Sequence, residues 1–254
     1  MAQVSGGAGC EYLEWDSGFF GVRVARLSAE RLRPESVGPV LAWCREHAIE
    51  CLYFLADPAD ATTVRLAEDH GFRLVDIRVT LERRLDAASS KAEGKRSATL
   101  RPALPDDTPA LRAIARVSHR DSRFYYDGRF PPERCDALYE TWIERSCQGW
   151  ADTVLVALAG GRPAGYVSCH RRGEAAGQIG LVGVAAEAQG EGLGRHLVEG
   201  ALGWFAARGV GLVTVVTQGR NARAQRLYQR CGFVTRSMRL WYHRWFPRSG
   251  GDAG

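Results

Sequence analysis

The sequence predicts an α/β protein made of a larger C-terminal segment and a smaller N-terminal half, and three observations predict it. An apolar, strand-like run from Ile179 to Val184 leads through Gln189-Gly190-Glu191-Gly192-Leu193-Gly194 into a stretch of helical spacing from Leu193 to Arg208. A β-branched run, Leu212-Val213-Thr214-Val215-Val216-Thr217, reads as a buried strand and is followed by a short helix from Ala222 to Arg230. Asp86 to Lys95 is small, polar and without hydrophobic period, which reads as a linker between two folded segments.

The glycine loop is the most informative of these. Gly190, Gly192 and Gly194 let the backbone turn tightly with its N–H groups bare, and the helix behind them adds partial positive charge. Such a loop suits an anion of the pyrophosphate kind. Its G-x-G-x-G spacing is neither the G-x-G-x-x-G of a dinucleotide fold nor a P-loop. Alone, it is equally an ordinary tight turn. After it, Leu197, Gly200, Ala201, Trp204 and Phe205 recur at helical spacing, and Gly209 stands where a helix stop is expected. A final strand pair is expected from Phe233 to Trp245.

Composition bounds the function. No apolar run approaches the ~18 residues of a membrane span, and the first residues lack the basic and apolar blocks of a signal peptide. The seven cysteines are scattered, without C-x-x-C spacing, and read as reduced thiols of a cytoplasmic protein. The six histidines show no ligand spacing, so no metal is expected. A formal charge of +5 comes from dispersed arginines without a basic tract, which gives no reason to expect nucleic acid and leaves a phosphate-rich ligand or a merely solvated surface.

The segments are expected at residues 1–85, with a linker at 86–95, a catalytic domain at 96–247 and a frayed tail at 248–254. The catalytic segment opens with a strand at Ala98 to Arg101. Pro105-Asp106-Asp107 then starts a helix carrying Leu111, Ile114 and Val117 inward. A second helix is expected near Pro132 to Cys147, with strands at Thr153 to Ala159 and Ala164 to Arg171. In the first segment, Leu66 to Phe72 and a strand from Leu74 to Leu81 repeat in fainter form the later Leu227 to Phe233 and its strand, without the glycine loop or the tyrosine.

The order strand, Q-G-x-G-x-G, helix, strand, Asn221, then Ala224-x-x-Leu227-Tyr228-x-x-x-Gly232-Phe233, resembles the GNAT superfamily of acetyl-CoA-dependent N-acetyltransferases. The resemblance implies a mixed sheet splayed at the cofactor strand with helices on both faces, and a degenerate N-terminal copy that binds no cofactor. Leu13-Glu14-Trp15-Asp16-Ser17-Gly18-Phe19-Phe20-Gly21-Val22 looks like the opening of the TDP-fucosamine acetyltransferases, as do Asp121-Ser122-Arg123-Phe124, Gly128-Arg129-Phe130 and the closing Leu240-Trp241-Tyr242. That resemblance implies a nucleotide-linked 4-amino-4,6-dideoxyhexose as acceptor. No metal, nucleic acid or membrane is then needed, and a homodimer would be unsurprising.

Within the resemblance, Leu181, Val182, Gly183 and Val184 present backbone N–H groups to the thioester and pantetheine, since a splayed strand has unpaired edge groups. The amides of Gln189, Gly190, Glu191, Gly192, Leu193, Gly194 and Arg195 surround the pyrophosphate, with the Arg195 side chain as an added charge. Asn221 meets the pantetheine amides, or simply caps its helix. Tyr228 is the expected general acid, because a phenol of pKa ~10 stays protonated at neutral pH and faces a departing thiolate. The family's arginine beside it is Leu227 here, so its contact is lost or passes to Arg223 or Arg226. Asp121, His119, His170 and a water chain all remain open as the base. Arg123 and Phe124 suit a phosphate and a base or sugar ring of the acceptor. Acceptors of other kinds (a protein N-terminus, an aminoglycoside, a polyamine) and a non-catalytic acyl-CoA sensor are the alternatives.

Overall fold

The computed structural model describes residues 8–85 and 99–247, so the expected linker at 86–95 and tail at 248–254 lie outside the described residues. In chain order the elements open with β1 (Cys10–Tyr12), α1 (Glu14–Phe20), β2 (Val24–Leu27), α2 (Pro34–Glu46), β3 (Cys51–Ala56), α3 (Ala61–Asp69) and β4 (Arg73–Arg84). Then come β5 (Thr99–Pro102), α4 (Thr108–Ser118), α5 (Arg123–Asp127), α6 (Pro132–Arg145), β6 (Thr153–Ala159), β7 (Arg162–Arg171) and β8 (Ala176–Val184). The last are α7 (Leu193–Ala206), β9 (Leu212–Gln218), α8 (Ala222–Arg230) and β10 (Val234–Trp245). The expected closing pair of strands is one long strand, β10, because no Gly, Pro, Asn or Asp interrupts it.

The chain divides into two units that are not successive segments. Among the described residues, one comprises 8–78, 123–130 and 238–247, the other 79–85, 99–122 and 131–237, so the division falls inside β4 and inside β10. The first unit thus takes α5 and the end of β10 from beyond the expected linker.

In the first unit the strands run in the order β1, β2, β3, β10, β4. β1 and β2 are antiparallel, β2 and β3 parallel, and β3 and β10 antiparallel with Tyr53 opposite His243. Val37, Val40, Leu41 and Trp43 of α2 pack with Leu52, Phe54 and Tyr242 into a buried cluster. Alternation along a strand puts Tyr53, Trp241 and His243 on the other face. Phe124 and Phe130 cover that face: Phe124 meets Tyr53 at 6.5 Å and Phe130 meets His243 at 5.9 Å.

The second unit carries the start of β10 and the end of β4, followed by β9, β8, β7, β6 and β5. β5 to β8 are antiparallel neighbours, whereas β8 and β9 are parallel, so the sheet is mixed. Successive residues of β7 show where the helices lie. Tyr166 meets His119, just after α4, at 3.1 Å, while a Cβ on Gly165 would stand 2.9 Å from Leu197 of α7. Neighbouring strand residues point to opposite faces, so α4 and α7 cover opposite faces of this sheet. α4 buries Leu111 and Ile114 as its period predicts, but Val117 is exposed because the helix ends one residue later.

Gly165 is also 2.9 Å, measured from a Cβ built on it, from the backbone oxygen of Gly183. Backbone cannot yield as a side chain can. Gly165→Ala is therefore expected to destabilise the protein by about 1–3 kcal/mol, read as a lowered midpoint in urea unfolding.

Candidate active site

The site begins where two parallel strands stop being partners. β8 and β9 pair from Ala176 opposite Leu212 to Ile179 opposite Val215, and no further, although β8 runs on to Val184 and β9 to Gln218. On its other edge β8 keeps its partner β7, with a register shift between Val167 and Cys169. There Cys169 and Val167 face Ile179 and Val182, so β8 has one residue more than β7, which is a β-bulge that bends the strand. At the bulge, Ser168 Oγ accepts the Leu181 N–H at 2.8 Å.

That bond removes Leu181 from the set of free edge donors expected from the sequence. Ala185 N–H goes to Ala164 of β7 at 2.8 Å. Donors alternate between the two edges of an extended strand, so Val184 and Val182 turn theirs toward the parted edge and Gly183 toward β7. A Cβ on Gly183 would lie 2.6 Å from the Tyr166 ring.

The glycine loop comes directly after β8. Gly190 and Gly192 sit at φ of 90° and 83°, a region that favours glycine, whereas Gly194 is helical and leaves room for Leu227, 3.4 Å from its built Cβ. His196 N–H is the first to find a carbonyl one turn back, that of Gly192 at 3.1 Å. The amides of Leu193, Gly194 and Arg195 precede it at the positive end of α7, where a helix has no carbonyl for them. Gln189 closes the loop, its Nε2 donating to Val184 O at 3.1 Å and its Oε1 accepting from Arg223 at 2.6 Å. Arg223 thus reaches the loop, while Arg226 turns back to Ala222 O. Arg195 is held by Glu199 at 2.6 Å along its own helix.

β9 leads to Asn221, whose side chain accepts Ala224 N–H at 2.9 Å and caps α8. Tyr228 is the buried residue of α8, its ring edge-on to Phe233 at 5.8 Å. Burial, with a smaller contribution from Cys231, holds its phenol protonated well above the ordinary tyrosine range.

The base candidates have different fates. His119 Nε2 pairs with Tyr166 OH and its ring stacks on Tyr139 at 4.5 Å; burial lowers its pKa to about 4. His170 Nε2 lies 3.4 Å from Ser168 Oγ beneath the exposed Trp150, and burial lowers its pKa too. Asp121 is exposed. Tyr166, which engages His119, and Ser168, which engages His170, lie in the stretch Gly165-Tyr166-Val167-Ser168 that also resembles the sugar acetyltransferases, but nothing in the sequence assigned either a role.

Arg123 and Phe124 form the start of α5 in the first unit. Phe124 is only 2% exposed, packed on Phe20 at 5.2 Å and Phe130 at 5.5 Å, so it is core and has no free face for an acceptor. Its ring instead supports Arg123, whose guanidinium carbon lies 4.2 Å over it. Among the described residues, no group of three or more His, Cys, Asp or Glu is placed to hold a metal, and no helix is long and apolar enough to cross a membrane.

A strand parted from its neighbour, a glycine loop at a helix N-terminus and a tyrosine on the next helix are the arrangement that the resemblance to GNAT acetyltransferases implies. Residues 114–233 match the Acetyltransferase (GNAT) family, and the chain carries an acetyltransferase domain of that kind. It is similar to dTDP-fucosamine acetyltransferase of Escherichia coli O6:H1, with 28% identity over 243 residues, 93% of this chain and 98% of that protein. It is also similar to the spore coat polysaccharide biosynthesis protein SpsD of Bacillus subtilis, with 29% identity over 146 residues, 58% of this chain and half (50%) of that protein. Among solved structures, a GCN5-related N-acetyltransferase from Sphaerobacter thermophilus shares the fold at a TM-score of 0.65 and 20% identity, over 96% of this chain and 78% of that one.

The lowered histidines give a pH dependence with a definite sign. His119 and His243 both have folded pKa values near about 4, below the unfolded value of 6.5, mainly through burial. Between those values the unfolded chain binds more protons, so stability is full above about pH 6.5 and is lost as pH falls toward 4. Urea midpoints measured from pH 7 to pH 4.5 are expected to fall steadily, and His119→Gln is expected to flatten that slope.

Proposed function

We propose that the enzyme transfers acetyl from acetyl-CoA to the amino group of a nucleotide-linked sugar of the dTDP-4-amino-4,6-dideoxyhexose type. The observation that carries this reading is the reach of the likeness to dTDP-fucosamine acetyltransferase. It spans 98% of that protein and so includes the N-terminal residues outside the matched GNAT stretch. The likeness to a polysaccharide biosynthesis protein supports an acceptor made of sugar.

The chain's residues suit acetyl-CoA. The open edge of β8 supplies Val182 and Val184 amides for the pantetheine and the thioester carbonyl, where oxyanion charge develops. The amides of Gly190 to Arg195 surround the pyrophosphate at the head of α7, and Arg223 supplies the cation that Leu227 does not. Asn221 keeps its amide nitrogen free for the pantetheine while its oxygen caps α8. The amine attacks the carbonyl carbon, the C–S bond breaks, and the new amide forms as the attacking nitrogen loses a proton. Tyr228 donates its hydroxyl hydrogen toward the leaving sulfur. Arg123 binds the acceptor, with Phe124 as its support.

Free-thiol release from acetyl-CoA, followed with a panel of amines, tests the reading. Turnover confined to dTDP-4-amino-4,6-dideoxyhexoses is the expected result. Turnover only with a peptide, a polyamine or an aminoglycoside overturns the acceptor assignment and leaves the N-acetyltransferase. Tyr228→Phe is expected to lower kcat by about 10²-fold or more with acetyl-CoA affinity unchanged; an unaltered kcat removes the tyrosine from the chemistry. Arg123→Ala is expected to raise KM for the amino sugar and leave that for acetyl-CoA alone, and equal rises would take Arg123 out of the acceptor site.

A further inference from the structure

The first unit holds two arginines that the rest of its charge chemistry does not use. Four of its other arginines sit in exposed ion pairs, Arg26 with Glu11, Arg31 with Asp57, Arg33 with Asp60 and Arg239 with Glu30. Arg78 of β4 and Arg123 of α5 are in no ion pair among the described residues, and the Nε of each is buried without a hydrogen-bond partner. The hydroxyl of Tyr53, a residue only 1% exposed, is likewise buried and unpartnered.

Tyr53 and Arg123 occupy one place, and β4, which carries Arg78, is the neighbour of β10, which carries Trp241. The Arg123 guanidinium carbon stands 4.9 Å over the Tyr53 ring, 4.4 Å over Trp241 and 4.2 Å over Phe124, so three aromatic faces hold it. Arg78 lies in its field. Burial lowers the Arg78 pKa below the ordinary value and the charge of Arg123 lowers it further. Glu30 opposes that lowering more weakly, and Asp16 lies in the field of Arg123, where burial outweighs the attraction and keeps its pKa raised. Two neighbouring cations, each with a buried Nε donor unused and no carboxylate among the described residues pairing it, are costly. An anion with several oxygens reverses that cost, because guanidinium forks match phosphate oxygens.

We infer that Arg78, Arg123 and Tyr53 form a binding site for the diphosphate of an organic diphosphate, with Trp241 as a flat wall beside it. Arg78 and Arg123 donate to the phosphate oxygens and the Tyr53 hydroxyl donates a further hydrogen bond. The inference deepens the proposed acceptor, a nucleoside diphosphate sugar, by naming residues that read its charged middle and not its amine.

Calorimetric titration of the full chain with dTDP and, separately, with inorganic pyrophosphate tests it. Both are expected to bind, more weakly as salt is added. Arg78→Gln and Arg123→Gln are each expected to weaken dTDP binding tenfold or more. Tyr53→Phe, which keeps the ring, is expected to weaken it severalfold, with circular dichroism and acetyl-CoA affinity unchanged in all three. Failure of the wild-type chain to bind either ligand overturns the site, as does undiminished dTDP binding by a folded Arg78→Gln or Tyr53→Phe chain. The two readings part cleanly. Diphosphate binding that depends on Arg78, without acetylation of any dTDP-amino sugar, keeps the site and removes the proposed acceptor. Acetylation of a dTDP-amino sugar with affinity indifferent to Arg78 and Tyr53 keeps the acceptor and removes the site.

Discussion

The parting of β8 from β9 after Ile179 and Val215 is the constraint on which the catalytic unit depends. Because the two strands are parallel, the chain leaves both of them at the same end of the sheet, the end where α/β folds bind ligands. After β8 comes the glycine loop and α7; after β9 come Asn221 and α8 with Tyr228. The strands part because β8 carries an extra residue against β7, and small residues make that tolerable. A Cβ on Gly180 would meet His170 Nε2 and Ser168 Oγ at 2.6 Å, at the point where the bulge needs the strand to bend. Ser168 then satisfies the Leu181 amide that the bulge displaces from its ladder. The free amides of Val182 and Val184 are the remainder of this arrangement.

The protein's excess positive charge divides into two kinds. Most of its paired arginines lie on the surface, such as Arg112 with Glu140 and Arg116 with Asp136, where water and salt leave a pair little net worth. Arg78 and Arg123 are different in physical kind. Their charge is partly desolvated and their donors are unused, so the field they set up is stronger per charge and attracts an anion. A composition of 34 Lys and Arg against 29 Asp and Glu cannot separate these populations, because it counts charges without their burial.

The elements of the second unit were legible because their signals are local. The bounds expected for β6 and α8 coincide with those observed, and Gly190 and Gly192 have the positive φ that their spacing suggested. What lay outside the sequence's reach depends on partners far apart in the chain. α5 is five residues, Arg123 to Asp127, too short for a period; its phenylalanine read as a face for a ligand but is core under a guanidinium. Its attachment to the first unit rests on Asp127, whose carboxylate pairs with His243 and accepts from Trp245 Nε1 at 3.0 Å, more than a hundred residues away. The same distance in sequence hides the joining of β3 with β10. Sequence alone leaves Arg223 and Arg226 equal candidates, and only the bond from Arg223 to Gln189 separates them.

Burial raises the pKa of Tyr228, which on its face spoils the residue as an acid. The relevant quantity is the difference between donor and acceptor in one environment, and desolvation acts on both. Cys231 sits three residues along the same helix end, and there burial lifts a thiol to about 11. A departing thiolate brought against the Tyr228 hydroxyl suffers the same penalty, because low dielectric disfavours every anion. The phenol therefore loses less ground against a thiolate than against water, because both scales move up together. A hydrogen bond from a neutral phenol to a growing negative charge is also stronger where water is absent. In the proposed reaction, burial makes Tyr228 a poor acid toward water and a better donor toward sulfur, which is the selectivity that the departure of a thiolate requires.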